Sequence, residues 1–161
     1  MRAWAIFTLL AIASFGSGMA EGASPSFSIT INASRTIERL GSPLEIRIVL
    51  TNTTAHGQWV YQDVSGEFDY TIDVSGQDKS EPTESRYFRA VKGKDSGKPT
   101  MVVTHGGGPR LVKADGTLTD TIDLNKLYDL QPGKYTIQVE RLDEDGKTVV
   151  KSNTITVNVT P

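Results

Sequence analysis

The chain has 161 residues, of which 17 are basic and 19 acidic, so its formal net charge is −2 at neutral pH. Because the charge is nearly balanced and no basic stripe occurs, the sequence predicts no nucleic-acid partner and no anionic membrane partner. There is no cysteine, so the fold has no disulfide and its stability must come from packing.

The first twenty residues have the pattern of a signal peptide. Arg2 carries the positive charge, residues 3–15 are mostly apolar, and Gly18 and Ala20 are the small residues expected before a cleavage point. The apolar run is shorter than the roughly 20 residues that span a bilayer. We therefore predict that residues 1–20 are a cleaved signal peptide. The protein is then exported, periplasmic or extracellular, and has no stable membrane insertion after cleavage.

After a short polar leader at residues 21–26, which is predicted to be flexible, apolar and polar residues alternate in one segment after another. Such alternation places apolar side chains on one face of a strand and polar side chains on the other. The segments are residues 27–32, 44–52, 67–74, 119–124, 134–142 and 153–159. Two antiparallel sheets packed together need this pattern. Residues 27–161 are therefore predicted to be one all-β domain, a single antiparallel β-sandwich of about seven to nine strands, with at most a short helix within 124–130.

The segment from Leu130 to Tyr135, Leu-Gln-Pro-Gly-Lys-Tyr, resembles the start of strand F in immunoglobulin-like and fibronectin type III-like domains. In those domains a tyrosine hydroxyl bonds back to the backbone and fixes the corner between two strands. The resemblance implies that Tyr135 is the corner residue, with Leu130, Pro132 and Gly133 in the same corner. It also implies that the sandwich is immunoglobulin-like.

A wider resemblance concerns the order of three features. These are Leu50-Thr-Asn52, the alternating run from Phe68 to Val74, and the later Pro-Gly-x-Tyr strand. Their order is similar to a group of bacterial immunoglobulin-like domains that includes the BsuPI-type proteinase inhibitors. The resemblance implies a sandwich, and it makes a secreted proteinase inhibitor an alternative function, although no inhibitory residues carry over.

The stretch His105-Gly-Gly-Gly108 is the most enzyme-like part of the chain. In esterases of the α/β-hydrolase type, a strand leading into HGGG supplies N–H groups to an oxyanion hole. Such an enzyme also needs a nucleophile and a base, but no G-x-S-x-G occurs and the only histidines are His56 and His105. We therefore predict a glycine-rich loop, no catalytic residue and no cofactor.

Metal binding is not predicted either, because the two histidines lack the close spacing of typical ligand pairs. The run Leu142-Asp-Glu-Asp-Gly-Lys147 is superficially similar to part of a calcium loop. However, Asp145-Gly146 between two strands is a strong signal for a two-residue hairpin turn, which is the interpretation we favour.

Residues 53–66 and 76–100 interrupt the strand pattern, with a short strand possible at Trp59-Val-Tyr61. Long loops are uncommon unless they are functional or mobile, so these regions are predicted to contact a partner. The candidate partner-binding residues are His56, Trp59, Tyr61, Arg86, Tyr87 and Lys94. Trp59 is expected in the core, as in immunoglobulin-like domains, whereas an exposed position near His56 would favour ligand binding.

The sequence thus predicts a secreted, non-enzymatic binding module that presents loops or a sheet edge to a protein partner in the envelope or extracellular space. The alternatives are the proteinase inhibitor and a small carbohydrate-binding accessory domain with a glycan partner. No motif identifies the partner itself.

Overall fold

The computed structural model describes residues 24–63, 69–92 and 106–161, and these form an all-β protein. The strands are β1 (Phe27–Ala33), β2 (Ile37–Arg39), β3 (Glu45–Asn52), β4 (Gln58–Asp63), β5 (Thr71–Gly76), β6 (Gly107–Val112), β7 (Thr117–Asp123), β8 (Gly133–Leu142), β9 (Val149–Lys151) and β10 (Ile155–Thr160). Two short helices are α1 (Arg86–Val91) and α2 (Leu124–Leu127). The predicted signal peptide, Lys94 and His105 lie outside the described residues.

The strands form three sheets. One sheet has the order β1-β3-β7, and a second has the order β2-β10-β8-β5 with β9 also paired to β8. The third is a two-stranded ribbon of β4 and β6. The prediction of an all-β fold with antiparallel sheets is confirmed, except that the short strand β2 lies parallel to β10. The described residues contain ten strands instead of seven to nine, because strands of three residues are too short to show alternation.

Buried residues of all three sheets form one hydrophobic cluster. The first sheet contributes alternate residues of β1 and β3, and the second contributes alternate residues of β5, β8 and β10; they are Phe27, Ile29, Ile31, Ile46, Ile48, Leu50, Ile72, Val74, Tyr135, Ile137, Val139, Val157 and Val159. Strand β1 lies next to β8, β9 and β10, so the core is between the two larger sheets. Burial of this apolar surface is the main stabilising contribution to a fold without disulfides.

Helix α1 lies inside the region predicted to be a long loop. Its N-cap is Ser85, whose hydroxyl accepts a hydrogen bond from the Phe88 N–H at 3.1 Å. Phe88 is buried, and its ring meets Tyr128 edge-to-face with 5.5 Å between the centroids. With a single buried residue, α1 is too short to show a periodic apolar stripe, so the sequence pattern did not reveal it.

The corner before β8 is held by Tyr135. Its hydroxyl donates to the Gln131 carbonyl at 2.9 Å and accepts from the Gln131 N–H at 3.0 Å. Leu130 and Tyr135 are both buried. The Tyr135 side chain therefore links β8 to Gln131, which precedes the strand.

The connection between β8 and β9 is longer than the predicted two-residue turn. The Asp143 N–H still bonds to the Thr148 carbonyl at 2.8 Å, so four residues form the loop. The Asp145 carboxylate accepts from the N–H groups of Thr148 and Lys147 at 2.8 Å each, which lowers the pKa of Asp145. This local bonding replaces the tight turn.

The last residues of the leader are bonded to the domain. The Ser26 N–H donates to Asp143 Oδ2 at 2.8 Å, and the Pro25 carbonyl accepts from the Thr53 hydroxyl at 2.8 Å. Among the described helices, none has the length and apolar character that a membrane crossing requires.

Candidate functional site

The outward face of the β4–β6 ribbon presents the candidate site. Trp59 is 60% exposed, Tyr61 53% and Leu111 54%. In the strand register Trp59 lies opposite Leu111 and Tyr61 lies opposite Pro109, so the four side chains share one face. We call this set, Trp59, Tyr61, Pro109 and Leu111, the ribbon face.

The expectation that Trp59 belongs to the core is wrong. Along β4 the inward position is taken by Val60, which is buried, and the pleat then directs its two neighbours outward. The possible short strand at residues 59–61 is part of the longer strand β4. His56 is exposed and lies two residues before β4, so the exposed aromatic pair and His56 are close in sequence.

The glycines of the HGGG stretch belong partly to a strand. Gly107 and Gly108 begin β6, so they are not in the loop that the sequence predicted. A Cβ atom on Gly107 would lie 2.6 Å from the Gln62 carbonyl oxygen and 2.9 Å from the Tyr61 hydroxyl oxygen. The absence of a side chain at Gly107 therefore allows β4 to approach closely and Tyr61 to cover the glycine.

Replacing Gly107 by alanine is expected to distort this end of the ribbon and to lower the free energy of unfolding by about 2 kcal/mol. Gly108→Ala is the matched control, since a Cβ atom there meets nothing within 4 Å. Urea unfolding followed by tryptophan fluorescence measures both changes. Equal stability of the two variants would show that the close approach at Gly107 has no energetic importance.

A buried polar cluster attaches the ribbon to the larger sheets. Asp120 of β7 is 8% exposed, and its Oδ1 accepts from Gln62 Nε2 of β4 at 2.6 Å. Its Oδ2 accepts from the Tyr70 hydroxyl at 2.7 Å. A carboxylate in the interior is tolerated when its oxygens are bonded in this way, so Asp120 joins the ribbon to β7.

Arg141 of β8, in the second sheet, bonds to the ribbon. Its Nη2 donates to the Tyr61 carbonyl at 2.6 Å, and its guanidinium carbon lies 5.4 Å from the centre of the Tyr70 ring. Its Nη1 is buried and has no hydrogen-bond partner within residues 24–63, 69–92 and 106–161. The backbone under Tyr61 is thus bonded to the opposite sheet.

Two groups next to Asp120, Tyr70 and Asp69, have a raised pKa. Burial raises the pKa of Tyr70 far above its ordinary value, and the charge and hydrogen bond of Asp120 act in the same direction. Burial also raises the pKa of Asp69, although the Asp63 N–H, which donates to Asp69 at 2.8 Å, opposes this shift. Tyr70 therefore remains a hydrogen-bond donor to Asp120 throughout the physiological pH range.

Two of the other predicted contact residues lie on helix α1. Arg86 and Tyr87 are exposed at the start of α1, which packs beside α2. His56, Trp59 and Tyr61 lie on β4 or just before it, whereas Arg86 and Tyr87 lie on α1. No group of His, Asp or Glu among the described residues is arranged to hold a metal ion.

Sequence reasoning missed Leu111, Asp120 and Arg141. A signal for Asp120 exists, because Leu118, Asp120 and Ile122 alternate and a carboxylate thus takes an inward position of an apolar series. No comparable signal marks Leu111, since its exposure depends on the pairing of β6 with β4.

Comparisons with known proteins identify no family. No family model and no curated protein matches the chain. Among solved structures, one that is similar is the Pseudomonas fluorescens alkylpurine DNA glycosylase AlkC bound to DNA containing an abasic site analog, with 11% identity and a TM-score of 0.42. The match covers 86% of this chain but only 31% of the glycosylase chain. A likeness at this level defines neither fold family nor function.

Proposed function

We propose that the protein is an exported, non-enzymatic binding module that holds a protein partner on the ribbon face. The observation that carries this proposal is the exposure of Trp59, Tyr61 and Leu111 next to one another. Adjacent large apolar side chains at a surface are typical of interaction sites, and tryptophan and tyrosine dominate the binding energy of many interfaces.

The attachment of the ribbon supports the same proposal. Arg141 bonds the Tyr61 backbone, and Asp120 bonds Gln62, so the strand that carries both aromatic side chains is bonded to both sheets. A surface that is already ordered loses little conformational entropy when a partner binds. The ribbon face therefore has the preorganisation that a binding surface needs.

We also propose that the two larger sheets form an immunoglobulin-like sandwich. An immunoglobulin-like sandwich is supported by the β1-β3-β7 sheet, the β10-β8-β5 order of the second sheet, and the short strand β2 parallel to β10. The bond between the Tyr135 hydroxyl and Gln131 adds a tyrosine corner. Export is supported by the signal-peptide pattern of residues 1–20.

Trp59→Ala is expected to abolish capture of the partner when the chain from residue 21 is used as bait on the envelope and secreted fractions of its host. Loss of an aromatic anchor typically costs about 2 kcal/mol or more of binding energy. Leu142→Ala is the matched control, because Leu142 is 54% exposed but lies at the end of β8. Partners are quantified by mass spectrometry for the two variants and the unchanged chain.

A protein that is captured by the unchanged chain and by Leu142→Ala, but not by Trp59→Ala, supports the proposal. Equal capture by all three baits would place the binding surface elsewhere. If none of the three baits captures a protein, the proposal of a protein partner is wrong.

A glycan is the second candidate ligand, because Trp59 and Tyr61 lie two residues apart on one exposed face and could stack on successive sugar rings. Retention of the chain on an insoluble polysaccharide, lost in Trp59→Ala, would favour this candidate over a protein. The proteinase-inhibitor alternative has no support from the described residues and stays a prediction of the resemblance.

A further inference from the structure

Two long sheet edges are partly closed by side chains or turns. At the edge of β1, Asn153 pairs with Ile31 as a strand would, with Oδ1 accepting from the Ile31 N–H at 2.8 Å and Nδ2 donating to the Ile31 carbonyl at 3.0 Å. At the edge of β5, the Tyr128 hydroxyl donates to the Ile72 carbonyl at 2.9 Å. The Gly76 N–H bonds to Ser80 within a turn. Natural proteins close edges in such ways to prevent unwanted strand pairing.

No such bond from a described side chain or turn is found at the outer edge of β7. In an antiparallel pair, hydrogen-bonded and non-hydrogen-bonded positions alternate. The Asn52 N–H donates to the Gly116 carbonyl and the Leu124 N–H donates to the Leu44 carbonyl, so the even-numbered residues of this strand bond to β3. The N–H and C=O groups of Thr117, Thr119 and Thr121 therefore point away from β3.

Within residues 24–63, 69–92 and 106–161, these outward groups have no hydrogen-bond partner. All three threonines are exposed. The bond that the ribbon makes with β7 goes to the Asp120 carboxylate on the buried face, not to the edge. Strand β7 thus has, along most of its length, a run of N–H and C=O groups to which no described residue bonds.

The side chains of this edge suit a second copy of the same strand. Thr117, Thr119 and Thr121 are equally spaced and uncharged, and the one charge between them, on Asp120, is directed inward and bonded. An antiparallel pairing centred on Thr119 places Thr119 opposite its own copy and Thr117 opposite Thr121 of the second copy. Opposed threonines stabilise a sheet, and no like charges meet among these residues.

We propose that the protein self-associates through β7, so that two three-stranded sheets join edge to edge in an antiparallel, two-fold symmetric dimer. A two-fold contact requires the same surface on both copies, which a palindromic series of threonines supplies. This association is independent of the ribbon face and goes beyond the proposed binding function.

The test is sedimentation equilibrium of the purified protein over a range of concentrations, with Thr119→Lys compared to Thr30→Lys. Thr30 and Thr119 flank the same residue, Val49, on opposite sides, so both variants add one positive charge to the same row of the same sheet face. Only Thr119→Lys brings like charges opposite each other across the two-fold axis. We expect it to weaken dimerisation about fivefold or more, and Thr30→Lys to leave it unchanged.

A mixture of Thr119→Lys and Thr119→Glu is expected to form the mixed dimer in preference to either variant alone, because opposite charges then meet. Hydrogen exchange gives a direct second readout: the amides of Thr117, Thr119 and Thr121 become protected as the protein concentration rises. A protein that remains monomeric at all concentrations, or a dimer that Thr119→Lys and Thr30→Lys affect equally, would overturn the proposal.

Discussion

Replacing Asn52 by alanine is expected to lower the free energy of unfolding by about 3 kcal/mol or more and to detach one end of the ribbon. Asn52 is 1% exposed at the end of β3. Its Nδ2 donates to the carbonyls of His56 at 2.8 Å, Val112 at 3.0 Å and Lys113 at 3.0 Å. One amide group thus bonds the segments that enter β4 and leave β6.

The size of the effect follows from what alanine leaves behind. The Val112 carbonyl would lose its donor in a buried position, and the His56 and Lys113 carbonyls would lose theirs in partly buried positions. Each buried group without a partner costs about 1–3 kcal/mol. The Asn52 Oδ1 also accepts from the N–H of Thr54 at 2.9 Å and from its hydroxyl at 2.8 Å, and alanine removes both bonds. Urea unfolding measures the change in stability.

Two further variants sharpen this prediction. Asn52→Asp is expected to be at least as destabilising at neutral pH, because a carboxylate directed at three carbonyl oxygens cannot donate to them. Asn32→Ala is the control, since Asn32 is exposed on β1 and no hydrogen bond of its side chain is found among the described residues. Wild-type stability of Asn52→Ala would contradict the bonding described here.

Asp120→Ala is expected to destabilise the protein by roughly 3 kcal/mol, the second of the two largest effects. The substitution leaves the Tyr70 hydroxyl and the Gln62 amide without their acceptor, and hydrogen bonds to a charged group contribute more than neutral ones. Asp129→Ala is the control for loss of a carboxylate, because Asp129 is exposed.

Tyr70→Phe separates the two bonds of Asp120. It removes only the hydroxyl donor, so the expected loss is about 1–2 kcal/mol. In the double variant Tyr70→Phe with Asp120→Ala, the loss should be smaller than the sum of the single losses, since both single changes break the same bond. Additive losses would show that the 2.7 Å contact contributes nothing to stability.

Asn52→Ala and Asp120→Ala should also disturb the position of the ribbon face. Asn52 and Asp120 bond segments on which Trp59 and Tyr61 depend for their position, although both are buried and neither belongs to the ribbon face. A partner that requires an ordered ribbon would therefore bind both alanine variants more weakly than Asp129→Ala. This separates positioning of the ribbon from direct contact, which Trp59→Ala tests.

The strands of the larger sheets were predictable because their signal is local. In β1 and over most of β3 and β8 apolar and polar residues alternate, and the buried set Phe27, Ile29 and Ile31 can be read from the chain without any knowledge of the partner strand. The bond of Tyr135 to Gln131 joins residues four apart, so it too can be anticipated from a short segment. Short elements such as β2, β9 and α1 carry too few residues for a periodic signal.

The sequence by itself determined the all-β architecture and which residues of the long strands face the core, because a strand's alternation is set by its own backbone pleat. Only the tertiary structure decided that β4 pairs with β6, that Trp59 is exposed, that Asp120 meets Tyr70 and that no described residue bonds to the outer edge of β7. Each of these depends on which distant segments lie side by side. Pairing of that kind is selected by packing and hydrogen bonding of the whole chain, and no local pattern records it.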